Sequence, residues 1–114
     1  MRLKLYCDLY VSECWQKKKS EILNKLRSKR LMPCAYVLTL SGGEQNHLEF
    51  YPGAFLKQHY FDDRDIFVVG IADGYDECLG MIERIADKVY QETGGADIRT
   101  YILDRQREHE KTGR

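Results

Sequence analysis

The run Ile66-Phe67-Val68-Val69-Gly70-Ile71-Ala72 has no polar side chain at any position. A strand with one wet face alternates apolar and polar residues, and this run does not. It is also far short of the roughly 20 apolar residues that cross a bilayer. A strand apolar on both sides belongs in the middle of a sheet that is covered on both faces. The second cover is then either a helix of the same chain or another subunit.

The flanking segments supply the layers. Residues 3–11 alternate, with Leu3, Leu5, Cys7, Leu9 and Val11 in one phase and Lys4, Tyr6, Asp8 and Tyr10 in the other. Residues 12–30 read as a helix with Ser12 as N-cap and Trp15, Ile22, Leu23 and Leu26 on its apolar arc, ended by Pro33. Cys34–Leu40 and His47–Tyr51 read as the arms of a hairpin joined by a Gly-Gly turn. A short helix is expected over 54–60. Cys78, Leu79, Ile82, Ile85, Ala86, Val89 and Tyr90 mark an amphipathic helix over Tyr75–Thr93, with Gly94 as its left-handed C-cap. Asp97 reads as the N-cap of a last helix from Ile98 to about Glu110.

The expected fold is therefore α+β. It is one domain over 1–110 with a frayed polar tail at 111–114, and its four-stranded mixed sheet carries helices on one face. The order β-α-β-β-(short α)-β-α-α matches a ferredoxin-like βαββαβ arrangement extended by two helices. The 114-residue length leaves no room for a second core, and 43% hydrophobic with 32% charged residues is globular composition. The first residues lack the continuous apolar stretch of a signal peptide, so the four cysteines are expected to be reduced thiols in a cytoplasmic protein.

Charge is unevenly spread. Residues 1–33 hold nine Lys/Arg and three Asp/Glu, a net of +6, and residues 34–114 hold nine and fifteen, a net of −6. That asymmetry suits a nucleic acid, an acidic protein or head-to-tail self-contact. Lys17, Lys18, Lys25 and Arg27 are the candidate phosphate contacts, although the basic residues of this helix spread around most of its circumference and read better as a solvated face.

Four further candidate sets stand beside plainer explanations. Asp73, Tyr75, Asp76 and Glu77 follow the apolar strand and open a helix, a favoured ligand position, but Asp73 and Asp76 also fit a capping box. Tyr6 and Tyr10 suit a protein interface, or shelter beneath the final helix. His47, His59 and His109 show no metal-ligand spacing. Cys14 falls in the first turn of a helix, where a thiolate is favoured, with no histidine placed beside it. No metal or other cofactor is expected, and no catalytic residue.

Val68-Val69-Gly70-Ile71-Ala72-Asp73-Gly74-Tyr75-Asp76-Glu77, followed by Val89-Tyr90, Thr93-Gly94 and Asp97-Ile98-Arg99-Thr100-Tyr101-Ile102, resembles a family of small uncharacterised proteins from anaerobic Firmicutes. Leu56-Lys57-Gln58 agrees as well. The resemblance implies a bacterial cytoplasmic protein and supplies no catalytic residues. The expected function is a non-enzymatic interaction or regulatory module that self-associates or meets another protein. Nucleic-acid binding along 12–30 and a small-ligand or metal site at 73–77 are the alternatives.

Overall fold

The structure, a computed structural model, describes residues 2–40, 48–58 and 65–112. Four strands, β1 (Arg2–Val11), β2 (Ala35–Leu40), β3 (Leu48–Pro52) and β4 (Asp65–Asp73), form one mixed sheet in the order β1-β4-β2-β3. β4 runs parallel to β1 and antiparallel to β2, and β2 runs antiparallel to β3. Three α-helices follow the expected positions: α1 (Lys19–Arg27), α2 (Tyr75–Thr93) and α3 (Ile98–Thr112). No helix among the described residues is long and apolar enough to cross a membrane. The α+β class and the four-stranded mixed sheet stand as expected.

The helices do not share one face. α2 and α3 cover one side of the sheet, where Met81, Ile85, Val89 and Ile102 pack on Tyr6, Leu38, Val69 and Ala72. α1 covers the other side, where Ile22 and Leu26 meet Val37, Val68 and Ile71, with Leu56 beside them. The expectation of helices on one face is corrected by the physics of β4 itself. Val68, Val69 and Ile71 are all fully buried, each contributing about 1.5–3 kcal/mol, and that burial needs two covers. The crossover from β1 to β2 supplies the second.

Two register shifts set the detail. Thr39 pairs with Val68 and Leu38 with Gly70, so Val69 is an extra residue in β4. Val69 packs toward α2, and a side chain on Gly70 would point there too: a Cβ built on it would lie 2.5 Å from the Met81 sulfur and 3.3 Å from Tyr10 Cβ. The missing side chain of Gly70 makes room for Met81. The buried stripe of α2 is accordingly Cys78, Met81, Ile85 and Val89, while Leu79, Ala86 and Tyr90 of the expected arc are exposed.

The second shift lies in β1, where Leu5 pairs with Val68 but Tyr10 with Gly70. The strand therefore loses its simple alternation. Leu3, Leu5 and Leu9 pack toward α1, whereas Tyr6, Cys7 and Tyr10 pack toward α2 and α3, so Cys7 does not share the leucine face. Gln106 of α3 repairs the interrupted ladder. Its side-chain oxygen accepts from the Cys7 N–H at 2.7 Å, and its side-chain nitrogen donates to the Leu5 carbonyl at 3.5 Å. Those are the two bonds a neighbouring strand would make around Tyr6. Lys4–Glu110 at 3.0 Å and Arg105–Asp8 at 2.7 Å continue the seam, so α3 lies along β1 in the opposite direction.

The segment after β1 is not one helix from 12 to 30. Glu13–Lys18 is a 3-10 helix and only Lys19–Arg27 is α-helical. Ser12 spends its hydroxyl on the Asp73 N–H at 2.8 Å, and Gln16 donates to the Val11 carbonyl at 2.7 Å, so this turn is tied back to the sheet rather than capped. α1 ends in a Schellman motif: Lys29 stands at φ 59°, Arg30 N–H reaches the Lys25 carbonyl, and Lys29 N–H the Leu26 carbonyl. Between β3 and β4 the described chain holds a 3-10 helix at Gly53–Lys57 in the place of the expected helix over 54–60, of which residues 59 and 60 lie outside the described residues. The ferredoxin-like expectation is corrected by the sheet itself: β1 lies at an edge, parallel to β4, in the order β1-β4-β2-β3, whereas a ferredoxin-like sheet is antiparallel throughout with β1 and β3 in its middle. At the other end, Lys111 and Thr112 are helical, the Thr112 hydroxyl donating to the Glu108 carbonyl, and the frayed tail does not begin at 111.

Candidate functional site

Two helices shield the β1–β4 side of the sheet, and the β2–β3 end is left less covered. There Tyr36 of β2, Phe50 of β3 and Tyr75 of α2 form a three-ring cluster. The centroids stand 6.2 Å apart for Tyr36–Phe50, 5.9 Å for Tyr36–Tyr75 and 5.8 Å for Phe50–Tyr75. These tilted and edge-on contacts are the favoured arrangement of aromatic pairs. Tyr75 is nonetheless 51% exposed, and Leu79, one turn further along α2, is 37% exposed. β3 is an edge strand, and its outer side pairs with no strand among the described residues. All five of its residues are half-buried. Its charge is muted, because the Tyr51 hydroxyl donates to the Glu49 carboxylate at 2.8 Å. The opposite edge differs: the Val11 carbonyl faces away from β4 and is already bonded to Gln16, and the bulged groups of β1 are bonded to Gln106.

Tyr6 does not serve as a surface residue. It is 4% exposed beneath α3, with its ring 6.1 Å from Phe67, and burial pushes its hydroxyl well above the ordinary tyrosine range. Tyr10 is half-buried against the same core, and burial raises its hydroxyl as well. The reason is that α2 and α3 cover the face of β1 opposite Leu3, Leu5 and Leu9, the face to which Tyr6 and Tyr10 belong.

The loop after β4 departs from the capping box. Gly74, at φ 101°, occupies the N-cap of α2, and no side chain caps that helix. Asp73 remains the last residue of β4, with its N–H taken by Ser12. Its carboxylate instead accepts from the Cys14 thiol at 3.2 Å. Asp76 and Glu77 lie exposed in the first turn of α2. Among the described residues no group of three His, Cys, Asp or Glu is arranged to hold a metal ion. The expected thiolate-favouring position of Cys14 is also corrected. It stands in a 3-10 helix, and its hydrogen bond to the Asp73 carboxylate raises its pKa; the Cys34 thiol is raised by Asp73 as well. Cys78, buried under α2, is pushed up to about 11 by burial alone.

Lys17, Lys18 and Arg27 are exposed, while Lys25 is half-buried and 3.6 Å from Glu21. Lys17 and Lys18 close the 3-10 helix and Arg27 closes α1. His109 is exposed on α3, and His47 and His59 lie outside the described residues. A cleft of about 640 Å³ between α2, α3 and β1 is lined by Asp8, Glu92, Tyr101, Asp104 and Arg105. Within it Arg105 holds Asp8, and the Tyr101 hydroxyl donates to Glu92 at 2.7 Å; burial, with that bond, pushes Tyr101 up to about 12.

No protein-family model, curated protein or solved structure matches the chain.

The ring cluster was not foreseen. Tyr36 and Phe50 fall within expected strands, but only the β2–β3 register, which sets Tyr36 opposite Pro52 and Leu38 opposite Phe50, brings their rings to the start of α2.

Proposed function

We propose that this chain is a non-enzymatic protein-interaction module that self-associates through β3 and the Tyr36–Phe50–Tyr75 cluster. The observation that carries the reading is a half-exposed aromatic cluster standing beside an edge strand with no strand partner among the described residues. Large aromatic side chains at the rim of an open edge are the usual composition of a contact surface. A second copy fits the chemistry of the strand. Antiparallel pairing about Phe50 sets Phe50 against its own copy and Glu49 against Tyr51, the residue that already binds Glu49 within one chain. No like charges then face each other across the pair. Such a contact is closed by two-fold symmetry and makes dimers rather than fibres. A bacterial cytoplasmic setting is part of the same proposal.

Light scattering under reducing conditions tests the reading. The wild type is expected to be a dimer at micromolar concentration. Tyr75→Arg, at a residue already half in solvent, is expected to weaken association tenfold or more, about 1.4 kcal/mol, with an unchanged circular dichroism spectrum. A wild-type protein that stays monomeric at high concentration contradicts the proposal.

Nucleic-acid binding along α1 draws less support. Its cations occupy the ends of two short helices, and one of the four candidates lies beside Glu21. A ligand site at 73–77 is likewise less favoured, because the Asp73 carboxylate is turned toward the Cys14 thiol.

A further inference from the structure

The apolar arc of α2 is wider than the sheet covers. Cys78, Met81, Ile85 and Val89 are buried, while Leu79, Ala86 and Tyr90 continue the line of Tyr75 in the open, Tyr90 at 63% exposure. At 100° per residue the four from Tyr75 to Tyr90 fall within about 60° of arc. Asp76, Glu83 and Asp87 fall beside them within about 40°, all exposed, with no cation in that line. Gly80, Glu83, Arg84, Ala86, Asp87 and Tyr90 line a shallow depression of about 690 Å³ there. Arg84 stands about 120° around the helix from Tyr90. Two carboxylates beside an aromatic ring are a set that takes a guanidinium or ammonium group.

The other side of the molecule has the complementary character. Residues 19–30 carry five cations and one carboxylate, a net of +4, whereas α2 carries two and five, a net of −3. α1 and α2 lie on opposite sides of the sheet, so the two charges are set back to back. Phe55 is exposed on the basic side. Its neighbour Leu56 is buried in one cluster with Leu26, and Leu31 comes within 3.0 Å of where a Cβ on Gly53 would stand. The whole chain has no formal net charge, so whole copies do not repel one another at neutral pH.

We infer that the exposed face of α2 is a docking surface for the basic face of a second copy, α1 of one molecule meeting α2 of the next. Arg27 and Arg30 supply the cations and Phe55 the apolar contact, and Glu83, Asp87 and Tyr90 of the next copy receive them. A two-fold contact of α2 with itself is disfavoured, because it sets the line of acids against the same line. The contact is head-to-tail, so it propagates where the β3 contact closes. It makes no use of β3, and Tyr90 lies about 22 Å along α2 from Tyr75.

Light scattering of the whole chain at neutral pH tests the inference at two ionic strengths. Charges act over about 30 Å at about 0.01 M salt and over about 3 Å at about 1 M. The mean mass is expected to be at least about twofold higher at the lower salt. Glu83→Lys with Asp87→Lys, and Arg27→Glu with Arg30→Glu, are each expected to stay small at low salt. Mixed in equal amounts they are expected to regain the large species, since each keeps the face the other has lost. That recovery also shows both variants to be folded. The mass at high salt reports the β3 contact alone, so the two contacts fail independently. A wild type no larger at low salt, or a mixture as small as its parts, overturns the inference. So does a wild type that stays small while a basic amphipathic peptide protects its α2 amides, which would give the face to a foreign partner.

Discussion

Gly70→Val is expected to lower the free energy of unfolding by about 3 kcal/mol, at the upper end for an overpacked core. The position has no slack. A Cβ there would lie 2.5 Å from the Met81 sulfur on one side and 3.3 Å from Tyr10 on the other, and Met81 is itself fully buried. The usual gain from replacing a strand glycine, about 0.5–1 kcal/mol, is too small to offset this. Denaturant midpoints measure the loss. Met81→Ala alone is expected to lose about 2–5 kcal/mol through its cavity. Combined with Gly70→Val it should lose clearly less than the sum, because the new methyl groups occupy space the sulfur has left. Additive losses would mean that Gly70 and Met81 do not share one volume.

The second large effect belongs to Gln106. Gln106→Leu is expected to cost about 2–3 kcal/mol, since it strands the Cys7 N–H and the Leu5 carbonyl together in a part-buried seam. The residue is only 7% exposed, so water does not readily replace it. Gln106→Glu separates the two bonds. The carboxylate keeps the acceptor for Cys7 but turns a negative oxygen toward the Leu5 carbonyl, with Asp8 near on the same strand. Burial and that carbonyl raise the carboxyl's pKa in the folded state. Its ionised form is the disfavoured one, so the deficit should be greatest near neutral pH and shrink as the pH falls toward about 5. Chemical denaturation across that range, with exchange of the Cys7 amide, checks both statements. A Gln106→Leu protein as stable as wild type would show that the bulge in β1 needs no partner.

These residues also mark how far the sequence could be read. The bounds of α2 and its Gly94 cap were legible, because they are signals carried within one segment, whereas the buried stripe shifted to include Met81, which fills the space beside Gly70. β4 was legible as a central strand for the same reason, since seven apolar positions leave no polar face. The last helix begins where Asp97 says, and the Asp97 carboxylate accepts from the Thr100 N–H, which holds its pKa below the usual range. What was not legible is set by pairing between distant segments. Nothing local tells a strand that Tyr6 through Leu9 will bulge, and nothing distinguishes Gln106 from its charged neighbours until α3 is laid along β1. The same holds for the side of the sheet that α1 chooses, for the ring cluster, and for Asp73, whose spacing from Asp76 fits a cap while its carboxylate meets the Cys14 thiol from elsewhere in the chain.

Amide hydrogen exchange at several protein concentrations reaches the central claim most directly, because it separates what the chain covers by itself from what a second copy covers. β4 amides should exchange slowest at every concentration, the dilute monomer included, since α1 and α2 shield that strand within one molecule. Amides of Leu48 to Tyr51 should slow as the concentration rises into the dimer range. β4 amides left unprotected in the dilute monomer, or exchange in β3 that ignores concentration while the protein dimerises, would contradict the account.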